Sequence, residues 1–143
     1  MELSKKVIEK MMSGDAFSQW LGIELLESAP GFCKIQLKVR EEMTNGFNIA
    51  HGGISYSLAD SCLAFAANSY GTQSVSIETS ISHTKKVESG DLLIATSKEL
   101  NKSKKTALYS ITISNQDNIE IAHFKGTVYR TGKEWFPENN NLQ

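Results

Sequence analysis

The stretch GGISYSLADSCLAFAANSY, residues 52–70, is the longest helix candidate in this 143-residue chain. Small and apolar residues occupy every face of that helix, and Asp60 is its one charged residue. A helix that is apolar all round is a buried helix. The stretch therefore predicts a central helix enclosed by the rest of the fold.

A charged residue such as Asp60 is unusual in a buried helix. Aspartate is a poor helix former and is seldom fully buried unless it is paired. Burial without a partner raises the pKa of a carboxyl group, because the charged form loses its water. For an isolated aspartate, a structural role such as holding a neighbouring loop is the commoner explanation. The residues just upstream change that balance.

The tripeptide His51-Gly52-Gly53 stands where a loop becomes this helix. A helix N-terminus carries free backbone N–H groups and the positive end of the helix dipole. Glycines let a substrate approach that backbone closely, and N–H groups of this kind stabilise the oxyanion of an acyl-transfer intermediate. The tripeptide alone is equally typical of a tight turn. Together with Asp60 on the following helix, it indicates a site for acyl chemistry.

Two apolar runs precede this helix, and after Gly71 the pattern changes to period two, which is typical of strands, although the last segment alternates poorly. A short amphipathic helix over residues 4–13 and a turn over residues 15–20 precede the first of them. The predicted strands are 23–28, 32–39, 74–87, 92–100, 106–114 and 119–129. Strands segregated from a single main helix predict an α+β fold, an antiparallel sheet wrapped around one long central helix.

Composition excludes several classes of function. The formal net charge is −1, which argues against a nucleic-acid partner. No N-terminal signal peptide and no membrane-spanning stretch are recognisable, so we expect no membrane partner and a cytoplasmic location. Cys33 and Cys62 have no metal or disulfide spacing and are expected as buried free thiols. The sequence predicts neither a metal nor a cofactor.

Several segments together resemble one family, the hotdog-fold thioesterases of the phenylacetic-acid-degradation type. The resemblance covers residues 17–132. It is carried by the segments NGFNIAHGG at 45–53, LADS at 58–61, ANSYG at 67–71, SIETSI at 76–81, SGD at 89–91 and KKT at 104–106. We therefore expect one hotdog domain over residues 1–132, followed by a polar, disordered tail over residues 133–143.

The resemblance implies hydrolysis of a medium-sized or aromatic, phenylacetyl-like acyl-CoA. It implies that Asp60 is the general base or the nucleophile, and that Gly53, with Gly52 beside it, supplies the oxyanion N–H. Asn45 and His51 would orient substrate, water or the loop. Further substrate contacts are implied at Gly52, Ser61, Ser76, Lys104 and Thr106. It also implies homodimers that pair into homotetramers, with sites at the dimer interface.

Two alternatives stay open on the sequence: a non-catalytic acyl-CoA-binding hotdog domain, and a hotdog hydratase acting on enoyl thioesters. Two positions depart from the family pattern. His83 stands where an aromatic residue is usual, and Lys86 stands where a proline is usual. We expect His83 and His123 to be hydrogen-bonded structural histidines, and Phe17 and Trp20 to pack in the core.

The spacing of Gly53 and Asp60 bears on how a site could form. Seven residues along a straight helix give about 10 Å of rise, too far for an oxyanion donor and a base at one carbonyl. A second, antiparallel copy of the helix would set Asp60 of one chain near Gly53 of the other. A kink at the glycines would offer a different solution within one chain.

Overall fold

The computed structural model describes residues 2–137, which form three α-helices, one short 3₁₀ helix and six strands. The helices are α1 (Leu3–Gly14), α2 (Ala16–Leu21) and α3 (Gly52–Asn68), with the 3₁₀ turn at Glu41–Met43. The strands are β1 (Glu24–Ala29), β2 (Phe32–Lys38), β3 (Thr72–His83), β4 (Leu92–Lys102), β5 (Thr106–Ser114) and β6 (Glu120–Glu134). No helix within this part of the chain is both long and apolar enough to span a membrane.

The six strands form one antiparallel sheet in the order β1-β2-β4-β5-β6-β3. One face of that sheet is apolar, because alternate side chains point towards α3. In β2, Cys33, Ile35 and Leu37 are fully buried, as their alternation with lysines and glutamine predicts. The predicted α+β hotdog architecture, a sheet wrapped around one long helix, is confirmed.

Helix α3 packs against five of the six strands and supplies much of the core. Its buried apolar side chains are Ile54, Leu58, Ala59, Cys62, Leu63, Phe65, Ala66 and Ala67. The prediction that α3 is enclosed on all sides is nevertheless wrong. A strip of half-buried positions runs along one side, at Tyr56, Ser57, Asp60, Ser61 and Ala64. Spacings of three and four place these residues on one face.

The end of β3 also differs from expectation. The predicted strand runs to Val87, whereas β3 ends at His83. The backbone N–H groups of Thr84 and Lys85 both donate to the carbonyl of Ile121, and Val87 then accepts from the N–H of Ala50 at 2.7 Å. The chain therefore leaves the sheet at His83 and crosses to the loop that leads into α3.

The C-terminal end of α3 is fixed by Asn68, which is 1% exposed. Its side-chain oxygen accepts from the N–H of Ser74 and from the indole N–H of Trp135, each at 2.8 Å. Its amide nitrogen donates to the carbonyls of Ala64 and Ser74. One buried side chain thus joins the helix, β3 and the chain beyond β6.

The predicted boundary of the polar tail at residue 133 is too early. Lys133 and Glu134 lie in β6, and Trp135 also donates its backbone N–H to the carbonyl of Gly71. The aromatic ring of Phe136 lies 4.2 Å below the ammonium group of Lys6. The rest of the predicted tail, residues 138–143, lies outside the described residues.

The close approach of α3 to the sheet predicts that residue 126 must stay small. A Cβ atom at Gly126 would lie 2.5 Å from Cδ2 of Leu63 and 3.2 Å from the ring of Phe124. Gly126→Val should therefore lower the free energy of unfolding by about 1–3 kcal/mol, measured by urea denaturation. Gly14→Ala, where a Cβ meets nothing within 4 Å, is the matched control and should be near neutral. Equal stability of both variants would contradict this packing.

Candidate active site

The loop before α3 is built around Asn45. Its side-chain oxygen accepts from the N–H groups of Phe47 and Ile49, at 2.9 and 3.4 Å. The loop turns tightly at Asn48, which has a left-handed backbone with φ of 62°. These hydrogen bonds join the Asn45 side chain to the backbone of the loop. The loop in turn fixes where α3 begins.

His51 caps the N-terminus of α3. Its backbone is extended, and its Nδ1 atom accepts from the N–H of Gly53 at 3.0 Å. That contact occupies the amide that the sequence favoured as the oxyanion donor. Within the part of the chain that the structure describes, the N–H of Gly52 has no hydrogen-bond acceptor. The free amide at this helix end is thus that of Gly52.

Asp60 lies on the open strip of α3, two turns further along. Helix α3 runs without interruption from Gly52 to Asn68, so continuous helix separates Gly53 from Asp60. Asp60, Ser76 and Ser74 instead line a cavity of about 260 Å³ against β3 and β6. In one protomer, the carboxylate and the helix N-terminus therefore belong to separate cavities.

The surroundings of Asp60 make its carboxyl group a stronger base than usual. Partial burial raises its pKa first, because the ionised form loses water, and the nearby carboxylate of Asp15 raises it further. A hydrogen-bonded chain connects Asp15 to Ser18 at 2.6 Å and Ser18 to Ser61 at 2.8 Å. Ser61, predicted as a substrate contact, is thus engaged with α2 in this structure.

Lys104 and Thr106 lie at the tip of the β4–β5 hairpin, far from His51 in the same chain. Thr106 bonds with Ser103 at 3.0 Å, and Arg130 donates to the backbone carbonyls of Ser103 and Lys104. The ammonium group of Lys102 lies 3.8 Å from the ring of Tyr70, just beyond the C-terminal end of α3. This hairpin therefore belongs to the opposite end of α3 from Gly52.

Two aromatic side chains that the sequence placed in the core are exposed. Phe17 and Trp20 stack at 6.1 Å between ring centroids and are 54% and 48% exposed. They line a cavity of about 330 Å³ together with His51, Gly53 and Ser57. This aromatic cavity adjoins the start of α3. Sequence alternation could not identify it, since α2 is a single short turn.

The remaining candidate residues are the two cysteines and the histidines at 83 and 123. Cys33 and Cys62 are free and buried, as expected. His123 lies 3.3 Å from Glu120. The expectation that His83 is hydrogen-bonded is wrong for the described residues, where its imidazole has no partner. Residues 2–137 contain no group of three or more His, Cys, Asp or Glu side chains suited to a metal ion.

The chain is similar in sequence to a known family and to several known proteins. The family model of the Thioesterase superfamily matches residues 47–122. A relative in Archaeoglobus fulgidus is 38% identical over 136 residues, covering 95% of this chain and 88% of that protein. Acyl-coenzyme A thioesterase PaaI of Escherichia coli is 35% identical over 122 residues, covering 85% and 87%. Human acyl-coenzyme A thioesterase 13 is 30% identical over 115 residues, covering 78% and 82%.

The solved structure of E. coli PaaI superposes with a TM-score of 0.89 at 33% identity, covering 92% of this chain and 95% of that one. The fold and the match to these relatives define a thioester hydrolase of the hotdog class. By its match to the family model and to these relatives, the chain belongs to the Thioesterase superfamily.

The raised pKa of Asp60 predicts that its charge destabilises the fold. The folded protein keeps the proton to higher pH than the unfolded chain. The stability associated with Asp60 is therefore fully present below the unfolded pKa and is lost as pH rises through the folded pKa. Asp60→Asn carries no such charge, so its stability relative to wild type should increase across that interval and then level off.

Urea denaturation at a series of pH values measures this difference. Asp117→Asn, which removes an exposed carboxylate in the β5–β6 turn, controls for the loss of a surface charge. A stability difference between Asp60→Asn and wild type that is the same at every pH would contradict the assignment.

Proposed function

We propose that this protein hydrolyses acyl-CoA thioesters, with Asp60 of one protomer acting on a thioester held at the N-terminus of α3 of another. The observation that carries the proposal is the half-buried Asp60 on the open strip of the central helix in a chain of the Thioesterase superfamily. A partly buried carboxylate costs stability, and a catalytic role explains why the sequence retains it.

Gly52 is the donor that we assign to the oxyanion. Its N–H has no acceptor among the described residues, whereas the N–H of Gly53 is engaged by His51. The helix dipole adds a positive potential at this end. In the proposed reaction Asp60 either takes a proton from water, which attacks the carbonyl carbon, or attacks that carbon itself. The C–S bond then breaks, and the CoA thiolate leaves and takes a proton, from Asp60 on the first route and from solvent on the second. On the second route, water hydrolyses the mixed anhydride left on Asp60, which releases the acid and regenerates the carboxylate.

The aromatic cavity is the place that we assign to the acyl group. Phe17 and Trp20 present exposed ring surface beside Gly53, and the cavity is large enough for a medium-sized or aromatic acyl chain. Aromatic faces favour stacking with a second ring. The chain is 35% identical to E. coli PaaI, a protein from the phenylacetic acid degradation operon. This similarity supports a phenylacetyl-like acyl group in the substrate.

A homodimer is needed to complete each site. Gly52 and Asp60 lie on one uninterrupted helix, about 12 Å apart along its axis. Within residues 2–137, β3 is a twelve-residue edge strand whose one pairing partner is β6, and its Val75 and Ile77 are 56% and 60% exposed. An edge of this length and apolar character is suited to pairing with another strand.

Antiparallel pairing of two β3 strands across a two-fold axis would also reverse α3 relative to its copy. Asp60, Ser76 and the hairpin with Lys104 and Thr106 would then approach the partner's helix N-terminus. Lys104 is placed to hold a CoA phosphate there. We further propose that two such dimers pair into a homotetramer.

We place the reaction in the cytoplasm. The free thiols of Cys33 and Cys62 fit that reducing compartment.

Activity is the direct test. Purified protein should release CoA from medium-sized or phenylacetyl-like acyl-CoA faster than from acetyl-CoA, in a thiol assay with and without chelator. Asp60→Asn should lower kcat by about 100-fold or more, the usual scale for losing a general base. Asp117→Asn is the matched control and should be unaffected. A wild-type protein inert towards the whole panel, or a fully active Asp60→Asn, would overturn the proposal.

Subunit mixing tests the shared site. Asp60→Ala and Gly52→Val chains should each be inactive alone. After subunit exchange, a mixed dimer has one intact site and one site with both lesions, so random mixing should restore about a quarter of wild-type activity. If each site lay within one chain, every site would keep a lesion and mixing would restore nothing. An active, stable monomer would also disprove the shared arrangement.

A further inference from the structure

His83 lies where β3 ends and the chain turns towards the start of α3. The carbonyl of Ile121, near the start of β6, accepts from both Thr84 and Lys85, which holds the chain just after His83 beside β6. The carbonyl of Val87 then accepts from the N–H of Ala50, two residues before Gly52. These bonds hold the end of β3 against the loop that leads into the helix, and they place His83 beside the proposed oxyanion donor.

The imidazole of His83 is in close range of Gly52. A Cβ atom at Gly52 would lie 3.3 Å from Cε1 and 3.6 Å from Nε2 of His83. An imidazole nitrogen is therefore next to the backbone whose N–H has no acceptor. Glycine at this position leaves room between the ring and the amide, which a larger side chain would fill.

His83 differs from the other two histidines in its partners. Nδ1 of His51 accepts from Gly53, and Nε2 of His123 lies 3.3 Å from Glu120. The His83 side chain is exposed and makes no hydrogen bond within residues 2–137. A structural role would call for a partner or for burial, and His83 has neither. Its N–H is therefore available to a bound substrate.

The cavity that His83 lines combines an apolar wall with basic side chains. It measures about 170 Å³ and is lined by Asn45, Ile49, Ala50, Gly52, Ser55, His83, Lys85, Lys86 and Val87. Gly52 is the residue that the proposed function places at the thioester, and Asn45 holds the loop beside it. Lys85 adds positive charge to a region where an oxygen is to become negative, whereas the ammonium group of Lys86 lies 3.5 Å from the carboxylate of Glu88.

We propose that His83 is a second hydrogen-bond donor to the thioester carbonyl oxygen, acting together with the N–H of Gly52. This role rests on the thioester hydrolysis proposed above. When the nucleophile bonds to the carbonyl carbon, the π electrons of the C=O bond move to the oxygen, and both N–H groups stabilise that charge. The proton of His83 stays on the imidazole. As the carbonyl re-forms, the C–S bond breaks and the thiolate leaves.

Substitutions at residue 83 test whether His83 acts through its N–H group or only through the space that its ring fills. His83→Phe keeps a ring of similar shape and removes both nitrogens. Its kcat should fall about 10- to 100-fold, with KM changed by less than about threefold, because the lost contact strengthens in the transition state. His83→Gln and His83→Asn keep a side-chain N–H, and at least one of them should exceed His83→Phe in kcat. His123→Phe is the matched control, with unchanged kcat.

The outcomes distinguish this role from the proposed function. A wild-type protein that hydrolyses acyl-CoA while His83→Phe keeps its full kcat would overturn the role of His83 alone. So would a loss confined to KM, or amide variants no better than His83→Phe. A wild-type protein that hydrolyses no acyl-CoA would overturn the function and this role with it. Thermal unfolding of each variant identifies any loss of activity that comes from misfolding. If His83→Phe misfolds, the kcat values of the amide variants test whether His83 is a donor.

Discussion

The packing of α3 against one face of the sheet is the constraint on which the rest of this structure depends. Five strands contact that helix, and at Gly126 the side chain of Leu63 leaves no room for a Cβ atom on the sheet. Because apolar burial provides most of the driving force for folding, the helix must present apolar side chains to the sheet. One strip remains half-buried, and Asp60 lies on it. The same packing that stabilises the domain thus leaves the carboxylate accessible.

Both ends of α3 are fixed by polar contacts. At one end, Asn68 ties the helix to β3 and to Trp135. At the other, His51 caps the helix while Val87 holds the preceding loop. A reaction that needs an oxyanion donor within about 3 Å of a carbonyl oxygen requires such a fixed helix start. The uninterrupted helix also separates that start from Asp60, which is why a second copy of the chain is part of the proposed mechanism.

Asp60 illustrates a conflict between stability and chemistry. Partial burial and the carboxylate of Asp15 raise the pKa of Asp60, which makes it a better base. The same effects make its charge unfavourable in the folded state. The hydrogen bonds from Asp15 to Ser18 and from Ser18 to Ser61 keep α2 attached to the helix that bears Asp60. The short α2 turn thereby affects the electrostatics of the site as well as supplying Phe17 and Trp20.

The sequence by itself determined the fold class, the central helix and the buried face of β2, because these follow from local periodicity. It also determined the family, because the segments around His51 and Asp60 are specific in combination. Only the tertiary structure decided which glycine N–H is free, since this depends on where the His51 side chain points. The exposure of Phe17 and Trp20, the position of His83 beside Gly52 and the end of β3 are likewise tertiary. They depend on contacts between segments far apart in the chain, and local sequence patterns do not encode such contacts.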